Sequence, residues 1–306
     1  MGSTTNAAAP SSQLGSKWTS IPKMALIAGV ILIALGFFTK SGDVSATKQF
    51  AYSYLQAFMF FLSLCLGGMF LTIVHHLFDA GWSVPLRRIN EHLAFLAPAL
   101  FVLFIPVFAL AKEIYPWMSL DPATDHALHA KQPLFSTPYW YGLSVVLFAA
   151  WTWLSWNLRK NSIAQDADGA AVHTQRNRVH AHYGIFVFAF SLTLAAILWM
   201  KGIEHNWFST MYGVYYFAGS VWTTLATVYV LQITLRDQGP LANVITRRQV
   251  HDNGVLFFAF TVFYAYIHFS QYFLIWNASM PEETYYYIKR EAGSWWGICM
   301  LIIFGH

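Results

Sequence analysis

Charge is scarce in this chain: 10% of its 306 residues are Asp, Glu, Lys or Arg, against 57% hydrophobic residues. Soluble domains carry about 25% charge, so a water-exposed globule is excluded, and a mean hydropathy of +0.44 points to an integral membrane protein. Cysteine is nearly absent. Cys65 and Cys299 both lie in apolar runs; they supply neither an iron-sulfur ligand set nor a CxxC redox pair and read as buried small hydrophobes. Histidine deep in an apolar run is rarer still, because of 12 histidines only His268 is well inside one. A transmembrane haem needs histidines on facing helices, which the pattern does not offer. Adjacent His75 and His76 would point about 100° apart on a helix, a poor start for a shared metal. The formal charge of +4 is spread over loops, which speaks for membrane orientation and against nucleic acid.

What is present is a series of apolar runs near the ~20 residues that cross a bilayer, separated by short charged segments. They cover 24–38, 50–78, 92–111, 138–158, 182–200, 211–235, 254–276 and a run from about 294. The expectation is an all-α, polytopic transmembrane helical bundle with eight candidate spans. Residues 1–23 lack apolar periodicity and read as a disordered cytoplasmic tail; the first span is short, and a cleaved signal ending near Ser45 and Ala46 is its alternative. With the tail inside, 11 Lys and Arg fall in inner segments and 7 in outer ones, and Arg290 is the one outer arginine. That asymmetry predicts a cytoplasmic N-terminus. The last run stops at His306 after about a dozen residues, too few at 1.5 Å each to cross a ~30 Å core, so a C-terminal truncation is expected. Pro98 and Pro106 mark the third run as the place for a kink.

An internal repeat organises these runs. Tyr52 precedes Arg87 and Arg88 by 35 positions, the spacing of Tyr212 from Arg247 and Arg248, and each copy has an Asp-x-Gly turn (Asp79, Asp237) and a following histidine, His92 or His251. Four helices separate the copies, so they should share one membrane orientation, as parallel repeats do. The expected division is a peripheral helix at 24–38, a first four-helix bundle over 39–207 and an incomplete second one over 208–306.

The stretch 264–284, YAYIHFSQYFLIWNASMPEET, holds the candidate site. On a helix Tyr264, His268, Gln271 and Tyr272 fall at i, i+4, i+7 and i+8 and share a face. Unpaired polar groups in hydrocarbon cost several kcal/mol each, so this face should look into the bundle or a wet cavity. Glu282 and Glu283 are placed in the loop beyond, after Pro281. Asp252, beside His251, stands at the mouth of the same helix, about 24 Å of rise from His268, with no titrating side chain from 255 to 261. Tyr52, Gln56, Ser63 and Gly67 line a stripe of the second run, where close helix contact through small residues is the alternative. The inner histidines are candidate proton entry points or interfacial anchors. Aromatics at 18% could line an apolar slot for a quinone head group, or serve only packing.

The string FSQYFLIWNASMPEETYYY, with HHLFDAGWSVPLRR at the earlier hairpin, resembles the ActF-type membrane subunit of bacterial alternative complex III, a relative of the NrfD and polysulfide-reductase membrane subunits. The likeness runs from about Phe50 to His306. It implies ten spans in full, as two four-helix bundles flanked by single helices, in the bacterial inner membrane. It further implies a quinol oxidoreductase of several subunits, in which haem and iron-sulfur clusters sit in periplasmic partners, a sister NrfD-like subunit is the better candidate for the quinol site, and cytochrome c or an oxidase accepts the electrons. Carried onto this chain, the resemblance places His268, Gln271, Glu282 and Glu283 in an outer polar site and His75, His76, Arg87 and Arg88 in an inner hairpin. Asn277 stands where the family has an aromatic, which makes the outer rim more polar and argues against a tight apolar quinone pocket. The implied role is a subunit without a redox centre or covalently bound cofactor, contributing a proton path or a quinone-site element. A structural anchor for extrinsic redox subunits and a secondary transporter are the alternatives.

Overall fold

The structure is a computed structural model that describes residues 16–39 and 44–305, and among these every regular element is helical. Backbone amides left in hydrocarbon without partners are costly, and a helix satisfies them within one segment. The helices are α1 (Ser16–Thr39), α2 (Val44–Phe78), α3 (Arg87–Ala94), α4 (Ala97–Ala109), α5 (Ala111–Ile114), α6 (His126–Ala130), α7 (Thr137–Asp168), α8 (Ala171–Ala195), α9 (Tyr212–Asp237), α10 (Arg247–Ala278), α11 (Pro281–Glu291) and α12 (Ser294–Gly305).

Among the described residues five helices are long and apolar enough to cross a membrane: Ser45–Phe78, Arg87–Ala109 (α3 and α4 taken together), Ala171–Ile203, Tyr212–Asp237 and Arg247–Ala278. The eight expected spans therefore reduce to five on this measure, with shorter apolar stretches at Ser20–Gly36 and Ser294–Gly305. The fourth expected run, in α7, is long, but Tyr139, Trp140, Tyr141, Trp151, Trp153 and Trp156 interrupt its aliphatic residues. The expected disordered tail does not hold over its last eight residues. Residues 16–23 belong to α1, and 1–15 lie outside the described residues. The third run breaks where proline predicts: α3 stops at Ala94, and Pro98 sits in the first turn of α4, where its missing N–H costs no helical bond.

α2 is the centre of the molecule, packing against α3, α4, α5, α8 and α9. The main core joins α2, α4, α7 and α8 around Trp140, Trp151, Trp199, Phe104 and Phe148. Phe148 and Trp199 stack at 5.4 Å and 17°, and the buried indole N–H of Trp151 donates to Ser191 Oγ at 2.7 Å. The α9–α10 hairpin then packs on the other side of α2. The crossing of α2 and α9 is close because Gly67 has no side chain: a Cβ there would lie 2.1 Å from Thr224 Oγ1 and 2.5 Å from the Ser220 carbonyl. Tyr216 ties the same crossing by donating to the Met59 carbonyl at 2.9 Å. Both arginine pairs of the repeat open a helix, Arg87 at α3 and Arg247 at α10, and both lie at one end of the bundle, here called the arginine end.

Candidate functional site

α10 is set by a capping box in which Thr246 Oγ1 accepts from the Gln249 N–H and the Gln249 side chain accepts from the Thr246 N–H. From that start the helix runs 32 residues to Ala278 without a break. Its polar face meets α9. The phenols of Tyr264 and Tyr215 are hydrogen-bonded at 2.6 Å with stacked rings, and the Tyr215 ring lies 5.5 Å from His268. Trp222 stacks on Tyr264 at 5.2 Å and donates to Thr261 Oγ1 at 2.8 Å. Gln271 is buried and donates to Ser209 Oγ at 2.6 Å. Three of the four predicted face residues thus look into protein.

The phenols continue toward the end opposite the arginines. Tyr215 is 6.3 Å from Tyr212, which contacts Trp207 at 5.9 Å, and Trp207 stacks face to face on Tyr286 at 3.7 Å. The Arg290 guanidinium covers the other side of Tyr286 at 3.3 Å. Burial raises the Tyr286 phenol above its ordinary value, while Arg290 pulls the other way. Tyr215, Trp207 and Tyr286 were not singled out from the sequence, and Tyr212 entered only as a marker of the repeat. Their signals are faint, a tyrosine pair at i, i+3 and a run of three tyrosines in a chain already rich in aromatics.

The remaining predicted residues do not join this face. Tyr272 sits on the exposed edge of α10 and bonds Glu291 at 3.0 Å. Glu282 and Glu283 are not in a loop: they form the first turn of α11, where carboxylates suit the positive end of a helix. Glu282 is exposed, and it is the Glu283 backbone carbonyl that accepts from Trp207 Nε1. On α2, Tyr52 donates to the Ile114 carbonyl in the first bundle and Gln56 is exposed, while Ser63 and Gly67 are buried against α9. The predicted stripe is therefore divided between two surroundings.

At the arginine end the two copies differ. His75 Nδ1 meets Ser83 Oγ at 2.7 Å, and His76 Nε2 faces the amide of the buried Asn177 at 3.3 Å. Their rings make an edge contact at 4.8 Å, and among the described residues no group of three or more His, Cys, Asp or Glu could hold a metal ion. Arg87 and Arg88 grip the buried Glu91 at 3.4 and 2.9 Å, and Arg88 also reaches Asp166. Arg178 pairs with Asp79 and holds its carboxyl below the usual range. In the second copy Arg248 is exposed, 4.0 Å from Asp252, and His251 is exposed, 3.8 Å from the same carboxylate. Behind them Asn253 donates to Gln232 at 3.2 Å in full burial, leaving Asn253 Oδ1 and Gln232 Nε2 without partners among the described residues.

Between that pair and Thr261 an apolar cluster crosses the hairpin. Leu71, Val221 and Leu225 cluster with Leu256, Phe257 and Phe260. The 11 residues from Asn253 to Tyr264 rise about 16 Å along the axis, so Asp252 does not connect to the His268 face by this route. The arrangement brings the hydroxyls of Tyr215 and Tyr264 together beside His268 and sets an apolar cluster between them and the arginine end. No protein-family model matches the chain, and a search of curated proteins gives no match.

Proposed function

We propose that this chain is a membrane subunit of a quinol-oxidising electron-transfer complex in the bacterial inner membrane, that it holds no redox centre, and that its α9–α10 face carries protons to the far end. The observation that carries the proposal is the Tyr215–Tyr264 hydrogen bond of 2.6 Å beside His268, inside a helix pair of membrane-crossing length. Ionisable groups at such depth are expensive and persist where they serve a path or a site. The motif resemblance supplies the kind of complex, and the arginine asymmetry supports a cytoplasmic N-terminus with the tyrosine face in the periplasmic half. On this reading quinol is oxidised at a sister subunit, electrons pass to haem and iron-sulfur partners, and His268 with Tyr264, Tyr215 and Tyr212 moves protons outward.

The apolar layer of Leu71, Val221, Leu225, Leu256, Phe257 and Phe260 favours a second reading, in which the chain is only an anchor for the extrinsic subunits. Single substitutions in the intact complex separate the two. His268→Gln and Tyr215→Phe should each slow proton release by roughly tenfold, the effect of about 1.4 kcal/mol on a transfer barrier, with assembly unchanged on native gels. Wild-type rates in both variants would leave the anchor.

A further inference from the structure

We propose that Lys131, Lys201 and the indole N–H of Trp117, gathered around Phe135 at the end opposite the arginines, form a binding site for a phosphate oxyanion. Three separate segments build it. α8 does not end as a regular helix: a π turn at Ala196–Met200 passes into a 3₁₀ turn at Lys201–Ile203, an irregularity common at functional positions. The neighbouring core absorbs its cost, since Tyr115 donates to the Trp199 carbonyl at 2.9 Å and Trp140 to the Leu198 carbonyl at 3.4 Å. The turn leaves Lys201 only 6% exposed. Its Nζ lies 5.4 Å from the Phe135 ring and 5.8 Å from the Phe208 ring. Lys131 Nζ stands over the same two rings, at 5.9 and 4.1 Å.

These donors outnumber the acceptors around them. Lys131 donates to the His205 carbonyl, but among the described residues no carboxylate lies within ion-pair distance of Lys201 or Lys131. The acids nearby have other partners: Asp125 is engaged by His205 Nε2 at 2.8 Å and by the N-terminus of α6, and Glu204 pairs with Lys289 at 3.3 Å. Trp117 is the independent sign of a ligand: it is 2% exposed, and its Nε1–H has no acceptor among the described residues. Its ring is 5.3 Å from Phe135. Gly202 lies between them, and a Cβ there would stand 3.5 Å from Phe135 Cε1 and 3.9 Å from Trp117 Nε1. A buried ammonium beside another, with an orphaned N–H, is costly until an anion joins them. Single-point donors from separate segments suit a tetrahedral oxyanion, whereas a planar carboxylate is best matched by the fork of an arginine.

Lys201 lies two residues from the end of the apolar stretch Ala171–Ile203, and a helix crossing a bilayer meets the lipid head groups toward its end. The phosphate could belong to an anionic phospholipid or be free in solution, and two arms distinguish them. The full chain is held in maltoside micelles free of phosphate. In one arm inorganic phosphate is titrated, and in the other phosphatidylglycerol is added; thermal shift gives the affinity and native mass spectrometry the number bound. Saturable binding of one equivalent in either arm is expected, and the arm that responds names the source. Lys201→Met should weaken it roughly tenfold or more, as for a lost charge-assisted hydrogen bond, and Trp117→Phe roughly threefold. Trp117→Phe keeps an aromatic ring, though a smaller one, while removing the N–H, so it reads that donor even if Lys201→Met alters folding. No saturable binding by the wild-type chain, or equal binding by wild type and both variants, would overturn the site.

Discussion

The Gly67 position shows how little room single residues have in this fold. Gly67→Ala puts a methyl within 2.1 Å of Thr224 Oγ1 and 2.5 Å of a backbone carbonyl, so α9 must move away from α2. The expected cost is about 1–3 kcal/mol, seen as a lower thermal midpoint in detergent, with Thr224→Ala recovering part of it. A second case has a defined pH sign. The bond from His205, with help from the α6 backbone, lowers the Asp125 carboxyl below 3.8. Its contribution to stability is therefore present above the unfolded value and fades as pH falls through the folded one. Asp125→Asn should lower the midpoint at neutral pH, and its difference from wild type should shrink below about pH 4. A difference that is constant with pH would show that the carboxylate charge is not involved. At this scale the sequence was readable where spacing alone decides the outcome. Tyr264, His268 and Gln271 fall on one face through helical arithmetic. Tyr215, Trp117 and Lys201 were not readable, because each matters through a partner far along the chain.

Among the elements, α10 depends on its start. Thr246→Ala removes the hydroxyl of the capping box and should cost about 1 kcal/mol, measurable as faster amide exchange through the first turns while the Tyr264–His268 region stays protected. The comparison of expected and observed elements follows from local chemistry. The proline break in the third run and the apolar lengths of α2, α9 and α10 were legible. The placement of Glu282 and Glu283 was misjudged, since a proline followed by two acids suits the first turn of a helix as well as a loop. α8 starts at Ala171, well before its apolar run, because the polar segment pairs with α7 through Asn161–Asn177 and Gln165–Thr174. Such pairing stays invisible to a count of apolar residues.

For the whole molecule, the alternation of helices puts the turns after α2, α7 and α9 at one end, and the segment 115–136, the turn after α8 and α11 at the other. Cysteines introduced one at a time in a Cys65→Ala, Cys299→Ser background test this with a membrane-impermeant thiol reagent. Ala167→Cys and Ala242→Cys should label from one side, and Ala123→Cys and Met280→Cys from the other; mixed labelling would break the topology. The 160-residue offset between the arginine pairs was visible in the sequence, but the difference between their surroundings was not. Only the first copy supplies a buried acid, Glu91, to hold its arginines. The placement of α2 has a further consequence. One of its sides completes the tryptophan-rich core and another receives α9 through Gly67, so neither half owns it. A chain cut between Trp207 and Met211 should still reassemble when the pieces are made together, whereas the later piece made alone would display to lipid the hydroxyls of Ser220 and Thr224 and the phenol of Tyr216, and would be cleared by quality-control proteases.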